Sequence, residues 1–341
     1  MYDISVIPET KWKQDLIEFQ HSVFCTPEWL NLVYDEDTEP IYIDFNDGSS
    51  KIAKIAGLIV NNKTIKGYEL YFYSGPALRE LNEDHYNKCL DSLYQFSLYN
   101  RFLKLNIGSY DNKHSLKYTS QELYRTERVE YIIPVKDADT IKYGSQFKRN
   151  VKKAFKQNTS IQTGNIANLF NQLDTLIKST HDKRKSKFDK DYDHFYLRFF
   201  NNKTLKRMHN NDSTTIYGTS NEDKINCAEL VFTCNNYAYM LLKGCNSFGY
   251  KYGMSSFLSK KLVSQFHENN IKTYNLGGRP PTKDGDGLAK FKISSGAKEI
   301  KCYGASSNYL SGPLMLINPL LKLGRLLPKD NKIVNYLKSI I

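Results

Sequence analysis

The 341-residue sequence has little cysteine and no pattern in the cysteine it has. Cys25, Cys89, Cys227, Cys234, Cys245 and Cys302 are scattered, with no C-x-x-C pair and no histidine at metal-ligand spacing. That excludes a zinc ribbon or a disulfide scaffold and favours reduced, buried thiols in a cytosolic protein, with no metal site. No run approaches the roughly 18 uninterrupted apolar residues of a spanning helix. The opening Met1-Tyr-Asp-Ile-Ser5 lacks the basic and apolar regions of a secretory signal, so none is expected. The seven histidines show no partnering with a serine or cysteine nucleophile, which argues against a hydrolase triad.

Acidic residues are also in deficit. Lys+Arg number 48 against 36 Asp+Glu, a net charge of +12, and such a surface attracts polyanions. Transfer RNA, a nucleotide-sugar diphosphate, coenzyme A and an anionic membrane all fit that description. With 40% hydrophobic and 25% charged residues the chain is globular, and its length suits two domains of ordinary size.

Local patterns point to mixed α/β structure in both halves. Thr26-Pro27-Glu28 is a helix start, with a capping hydroxyl, a first-turn proline and an acid at the positive end of the dipole. Ile41–Phe45, the turn Asn46-Asp47-Gly48-Ser49 and Ile52–Val60 predict a β-hairpin. Further strands are expected at 70–73, 102–107 and 129–133, and a helix over 85–100. In the second half, a basic helix over 143–158, an amphipathic one over 166–180 and an aromatic-rich one over 191–201 precede strands at 214–217, 225–233 and 237–243. A helix over 255–269 and strands at 273–276 and 300–303 complete it. Each half runs helix, strands, helix, strand, which suggests a duplicated unit. The expected divisions are 1–136, 137–306 and an apolar, basic tail over 307–341.

Three segments resemble the Fem-type aminoacyltransferases. They are Val23-Phe-Cys-Thr-Pro-Glu-Trp29-Leu30; Phe147-Lys-Arg-Asn-Val-Lys-Lys-Ala-Phe-Lys156 with Thr180-His-Asp-Lys183-Arg184; and Ala228–Gly296, which contains Tyr274-Asn-Leu-Gly277-Gly278 and Gly287-Leu-Ala-Lys290-Phe291-Lys292. The resemblance covers most of the chain. It implies two tandem domains of the GNAT acyltransferase fold, hence an α/β protein of mixed sheets.

The same resemblance marks Lys292 and Phe291 as the catalytic pair and places substrate near Trp29, Lys183, Arg184, Tyr239, Gly277, Gly278, Arg279 and Lys290. Physically, a cation aimed at a tetrahedral oxyanion lowers the barrier to acyl transfer. The contrary expectation for Lys290 and Lys292 is a strand edge with both side chains in solvent. Gly277-Gly278 permits close approach of a substrate to the backbone, and Arg279 suits a phosphate or carboxylate. Residues 282–287 look like a mobile loop. Glu229 and Tyr239, on adjacent predicted strands, suit assistance in proton transfer. The stretch Asn246-Ser-Phe-Gly249-Tyr-Lys-Tyr-Gly253 lacks the leading Arg and the glycine spacing of the R-x-x-G-x-G/A turn that holds coenzyme A.

These features point to an acyltransferase that moves an aminoacyl or acyl group onto an amine of a cell-envelope precursor, peptidoglycan or glycan. No cofactor is expected; the co-substrate is aminoacyl-tRNA or acyl-CoA, and the acceptor is nucleotide-linked or lipid-linked. A cleft between the halves is the expected acceptor site. The alternatives are an acyl-CoA-dependent N-acyltransferase of amino sugars in polysaccharide biosynthesis, and a non-catalytic tRNA- or membrane-binding protein. The expected location is cytoplasmic, at the inner face of the membrane if the tail docks there.

Overall fold

The computed structural model describes the chain except residues 62–66, 120–121, 165–166, 190–194, 210, 223, 281–283, 308–309, 311 and 325–341. The first elements are β1 (Asp3–Val6), α1 (Glu9–Asp15), α2 (Pro27–Val33), β2 (Thr38–Asp47), β3 (Ser50–Asn61), β4 (Tyr68–Phe72), β5 (Ala77–Leu78), α3 (Glu83–Tyr99), β6 (Lys104–Ile107) and β7 (Leu123–Ile133). Then come α4 (Ser145–Phe155), β8 (Ser160–Thr163), α5 (Ala167–Phe188), α6 (Asn202–Met208), β9 (Thr214–Asn221), β10 (Lys224–Cys234) and β11 (Tyr237–Cys245). The last are α7 (Ser247–Tyr252), α8 (Met254–Glu268), β12 (Thr273–Gly278), α9 (Asp284–Ser294), β13 (Lys298–Ser307) and α10 (Asn318–Gly324).

The chain forms two compact units. Unit 1 comprises Met1–Leu30, Tyr34–Glu127 and Tyr303–Ile341, and unit 2 comprises Asn31–Val33 and Arg128–Cys302. In unit 1 the strand order is β1-β2-β3-β4-β6-β13. The β2–β3 hairpin turns at Gly48, whose φ of +57° is easy only for glycine. Thr26 caps α2 as expected, its hydroxyl accepting the Trp29 N–H at 3.4 Å. Helix α3 buries Tyr86, Cys89, Leu90 and Leu93, one stripe at helical spacing, in a core with Ile43, Phe45, Ile55, Phe72 and Leu105.

In unit 2 the order is β7-β12-β11-β10-β9-β8, with the Arg128–Ile133 part of β7 at one end. Helix α8 supplies Met254, Leu258, Leu262 and Phe266 to a core with Tyr131, Val231, Tyr274 and Leu276. Helix α4 buries Phe147 and Ala154 and leaves Lys148, Arg149, Lys152 and Lys153 exposed.

The duplication is explicit. Unit 1 runs β2-β3-β4, antiparallel, then α3 and a parallel partner for β4 in β6. Unit 2 runs β9-β10-β11, antiparallel, then α7, α8 and a parallel partner for β11 in β12. An antiparallel strand closes each series, β13 on β6 and β7 on β12.

Two expectations need correcting. Of the helix expected over 191–201, residues 191–194 lie outside the described residues and 195–201 are not helical: Phe199 has φ +63°, and the helix starts only at Asn202, whose preceding Asn201 caps it. The aromatic spacing there reflects packing such as Phe195 against Phe200, not helical periodicity. Residues 284–294 form helix α9, so Lys290 and Lys292 do not sit on a strand edge. Of the loop expected over 282–287, residues 282 and 283 lie outside the described residues and the rest belong to α9.

Candidate functional site

In unit 2 the parallel pairing of β11 with β12 runs only from Tyr237↔Thr273 to Tyr239↔Asn275. Past that point β12 is irregular. Its pairing with β7 jumps from Asn275↔Ile132 to Gly278↔Glu130, and Gly277 turns through φ +68°. Past Asn275 the β11–β12 ladder ends, although Gly278 still pairs with Glu130 of β7, and the buried carbonyls of the bend need donors.

Lys292 supplies them. Reaching in from α9, its Nζ donates to the carbonyls of Leu276 (2.5 Å), Gly277 (3.1 Å) and Gly278 (2.7 Å). The residue is 2% exposed and its ammonium lies 5.5 Å from the centre of the Tyr131 ring. Burial and the Arg128 charge pull its pKa down from 10.5 to about 7, against the attraction of Glu130. The three carbonyl dipoles act the other way and favour the protonated form.

The surroundings make this ammonium conspicuous. Arg128 and Lys243 repel it while Glu130 and Glu229 attract it. Two cations and two anions cancel, so a protonated Lys292 is a surplus positive charge. The anions are themselves engaged. Glu229 and Lys243 face each other across β10 and β11 at 2.9 Å, and Lys243 also donates to Ser259. Burial alone would lower the Lys243 pKa; Glu229 and Cys227 hold it above its ordinary value instead.

Glu130 is fully buried and organises the other wall. It accepts from the Tyr239 hydroxyl at 3.0 Å and from Asn275 Nδ2 at 2.9 Å, with Arg128 Nε 3.1 Å away. Asn275 Oδ1 in turn accepts the Gly277 N–H at 2.8 Å, tying the bend to the network. A Cβ on Gly277 would lie 3.3 Å from the Tyr239 hydroxyl and 3.7 Å from that of Tyr196. The Tyr196 hydroxyl donates to the Met240 carbonyl of β11 at 3.4 Å, and Arg128 lies over the Tyr196 ring. Two phenol groups therefore flank Gly277, whose backbone has no side chain in the way.

Of the residues expected at the site, Tyr239, Gly277, Gly278, Arg279, Phe291 and Lys292 gather here. Phe291 is half-buried, its ring 5.3 Å from the Lys243 ammonium and near Phe147. Arg279 is partly exposed and pairs with Asp286 at 3.3 Å. Lys290 is exposed on α9. Lys183 and Arg184 are on α5, where Lys183 stacks 4.0 Å from the Tyr250 ring of α7. Trp29, expected to touch substrate, is fully buried in unit 1 and packs edge-on against Phe24 and Tyr73. That position is filled by core packing and leaves no indole surface for a ligand. Arg128, Glu130, Asn275 and Tyr196 were missed from sequence. The alternation Arg128-Val-Glu130 on a strand was the available signal for the first two.

The turn after β11 tests the fit of coenzyme A. A pyrophosphate cradle needs free backbone N–H groups at a helix start. Here Asn246 caps α7 with its own side chain, accepting the Gly249 N–H at 2.9 Å, and its Nδ2 is held by Asn226. At the start of α8, a Cβ on Gly253 would lie 2.7 Å from the Asn150 carbonyl, so α4 closes off that corner. Gly249 and Gly253 serve packing. Among the described residues no cluster of His, Cys, Asp and Glu suits a metal ion, and no helix is long and apolar enough to cross a membrane.

Comparison with known proteins begins with silence. No family model matches the sequence, and no curated protein matches it. Solved structures do. FemX superposes with a TM-score of 0.67 at 12% identity, over 94% of this chain and 99% of that one. The fold is that of FemX. The protein L-PGS from Bacillus licheniformis matches with a TM-score of 0.53 at 14% identity, over 92% and 96% of the two chains. The chain is thus an α/β protein of two tandem GNAT-like units with a Fem-like fold.

Proposed function

We propose that the chain is an amide-forming transferase that moves an aminoacyl group from an aminoacyl-tRNA onto an amine of a cell-envelope precursor, at the free end of β12. The observation that carries this reading is the surplus ammonium of Lys292, buried behind the Gly277–Gly278 bend. The acceptor amine attacks the carbonyl carbon of the donor ester, a C–N bond forms, and the carbonyl oxygen becomes negative. The ester C–O bond then breaks, and the departing ribose oxygen takes up the proton that the amine loses. A fixed positive charge in a site of low dielectric stabilises the oxyanion without reorganising.

All three Lys292 hydrogens are spent on carbonyls, so its charge acts through space. The flanking phenols are engaged as well, Tyr239 donating to Glu130 and Tyr196 to the Met240 carbonyl. Tyr239, whose oxygen is the nearer to Gly277, therefore donates to an oxyanion only by turning its hydrogen away from Glu130. The resemblance of FemX in fold supports transfer chemistry, and the capped turn after β11 favours an RNA ester over acyl-CoA as donor. The exposed lysines and arginine of α4 suit a polyanionic partner.

The test is to incubate the purified protein with a panel of charged tRNAs and acyl-CoA species plus nucleotide-linked and lipid-linked amines, and to follow product mass. Aminoacyl transfer from tRNA is the expected outcome. Transfer only from acyl-CoA would make the chain an N-acyltransferase of the polysaccharide type, and tRNA retention without product would make it a binding protein.

A further inference from the structure

Two cysteines of unit 2 stand opposite each other. Cys227 of β10 and Cys245 of β11 are antiparallel register partners, so their side chains share one face of the sheet. Both are free thiols, at 0% and 2% exposure. The hydrogen bonds around them fix the type of pair. Asn246 N–H donates to the Asn226 carbonyl at 3.0 Å, so the neighbouring pair is bonded and Cys227–Cys245 is a non-hydrogen-bonded one. Accordingly the Cys245 N–H turns away from β10 to the Thr180 hydroxyl at 2.9 Å. The Cys227 carbonyl turns away from β11 and accepts the Thr219 hydroxyl at 3.4 Å. In such a pair the Cα atoms lie about 4.5 Å apart, inside the roughly 4.4–6.8 Å that a disulfide spans. The two thiols already meet in a hydrogen bond.

Chemistry sets this pair apart from the other four cysteines. The bond from Cys245, the Lys243 ammonium and the Ser255 hydroxyl hold the Cys227 thiol below its ordinary pKa, against burial and the Glu229 charge. At Cys25 burial dominates and pushes the thiol up to about 12. The thiolate is the form that oxidants attack. Access runs through α7, which has six residues and buries only Gly249. Its Tyr250 is 40% exposed and donates to the Thr180 hydroxyl at 3.3 Å, the same hydroxyl that holds Cys245. A short helix with so little buried surface opens locally, enough for a molecule little larger than water.

We infer that Cys227 and Cys245 are a modification site, converted by hydrogen peroxide into a reversible disulfide that staples β10 to β11. The Cys227 thiolate attacks one peroxide oxygen: an S–O bond forms, the O–O bond breaks, and the departing hydroxide takes the proton that the thiol gave up. The Cys245 sulfur then attacks the Cys227 sulfur. An S–S bond forms, the S–O bond breaks, and the oxygen leaves as water with the Cys245 proton. Two thiols lose two electrons and one peroxide becomes two waters. The inference does not depend on acyl transfer, and its test needs no substrate.

The experiment treats the folded full chain with hydrogen peroxide, removes the excess with catalase, then unfolds the protein and alkylates the remaining thiols with iodoacetamide for peptide mass mapping. The expected result is the loss of two of the six thiols, joined in one Cys227–Cys245 link that dithiothreitol reopens. Cys234→Ser should keep the link, and Cys227→Ser should leave its five thiols free to alkylate. Six alkylated thiols in the treated wild type would overturn the inference. So would a link to any other cysteine, or Cys227 carried on to the sulfinic acid with Cys245 still free.

Discussion

Units 1 and 2 share a topology and differ at one joint. In unit 1 the parallel pair β4–β6 stays closed past its last register pair, Phe72↔Ile107: Gly108 N–H bonds to the Phe72 carbonyl and Tyr110 N–H to the Tyr73 carbonyl. Trp29, Tyr71 and Tyr73 pack edge-to-face beside that seam. In unit 2 the corresponding pair β11–β12 stops at Tyr239↔Asn275. Gly277 then bends away, and side chains rather than a strand satisfy the released carbonyls: Lys292 for β12, Tyr196 for Met240. A closed seam is finished structure. An open one, lined by two phenols, a carboxylate and an ammonium, has the properties of a site.

The two buried lysines sharpen the contrast. Lys54 of unit 1 is fully buried but compensated: it pairs with Asp15 and with Asp44 at 3.2 Å, and Lys51 pairs with the same two acids. Two cations meet two anions, and removal of Lys54 leaves two carboxylates, that of Asp44 buried, sharing the single cation Lys51. Lys54→Met should therefore cost about 3–5 kcal/mol of stability, read as a fall in denaturation midpoint. Lys292→Met removes the donor of three buried carbonyls, about 1–3 kcal/mol for each left unpaired. Its kcat, expected to fall about 10²–10³-fold, is read on protein whose circular dichroism shows it still folded. Should Lys292→Met retain full turnover, or Lys54→Met melt like the wild type, the contrast between the units fails.

Acidity separates them further. The Lys292 proton leaves at about 7 in the folded chain against an ordinary 10.5. Below about 7 both folded and unfolded chains carry the proton, and the penalty of burying it is complete. Between those values only the unfolded chain carries it, so stability rises with pH. Denaturation at about pH 6.5 and about pH 9.5 should show the wild type gaining on Lys292→Met at the higher value. Turnover should move the opposite way, declining above about pH 7 as the ammonium is lost. A flat difference between the two proteins would remove the surplus-charge argument.

What was legible in the sequence follows from how local each signal is. The Thr26 cap, the Gly48 turn and helix α3 itself are written in neighbouring residues, and they fold as expected. The duplicated order of strands and helices was legible too. Helix α9 was hidden, because Gly285 and Gly287 in its first turns look like loop. Glu130 was hidden for another reason: its partners Tyr239 and Asn275 are 109 and 145 residues away, and a charged strand residue reads as a solvated face until those partners are placed. Lys292 was legible only through its resemblance to a family motif, not through spacing or charge.

A middle-sized effect should come from Tyr239→Phe. The change removes one bond to a buried carboxylate that keeps Asn275 and Arg128, a loss of about 1–3 kcal/mol. If the hydroxyl also faces the reacting carbonyl, kcat should fall about tenfold to a hundredfold while KM holds, since the contact strengthens only in the transition state. A rise in KM alone, with kcat intact, would reduce Tyr239 to a packing partner of Glu130.

The smallest effect comes from paired glycines. Gly48→Ala and Gly277→Ala both place a Cβ on left-handed backbone, φ +57° and +68°, and each should cost about 1 kcal/mol from strain. At Gly48 nothing lies within 4 Å of the new atom, so strain is the whole effect. At Gly277 the methyl would sit 3.3 Å from the Tyr239 hydroxyl and occupy the space where a substrate backbone would approach. The two variants should therefore melt alike and differ in catalysis, with KM raised several-fold only for Gly277→Ala. Calorimetry together with steady-state kinetics on both proteins reads the difference directly: equal KM values would mean that substrate never passes the β12 bend, and the open seam of unit 2 would then be only a gap closed by a lysine.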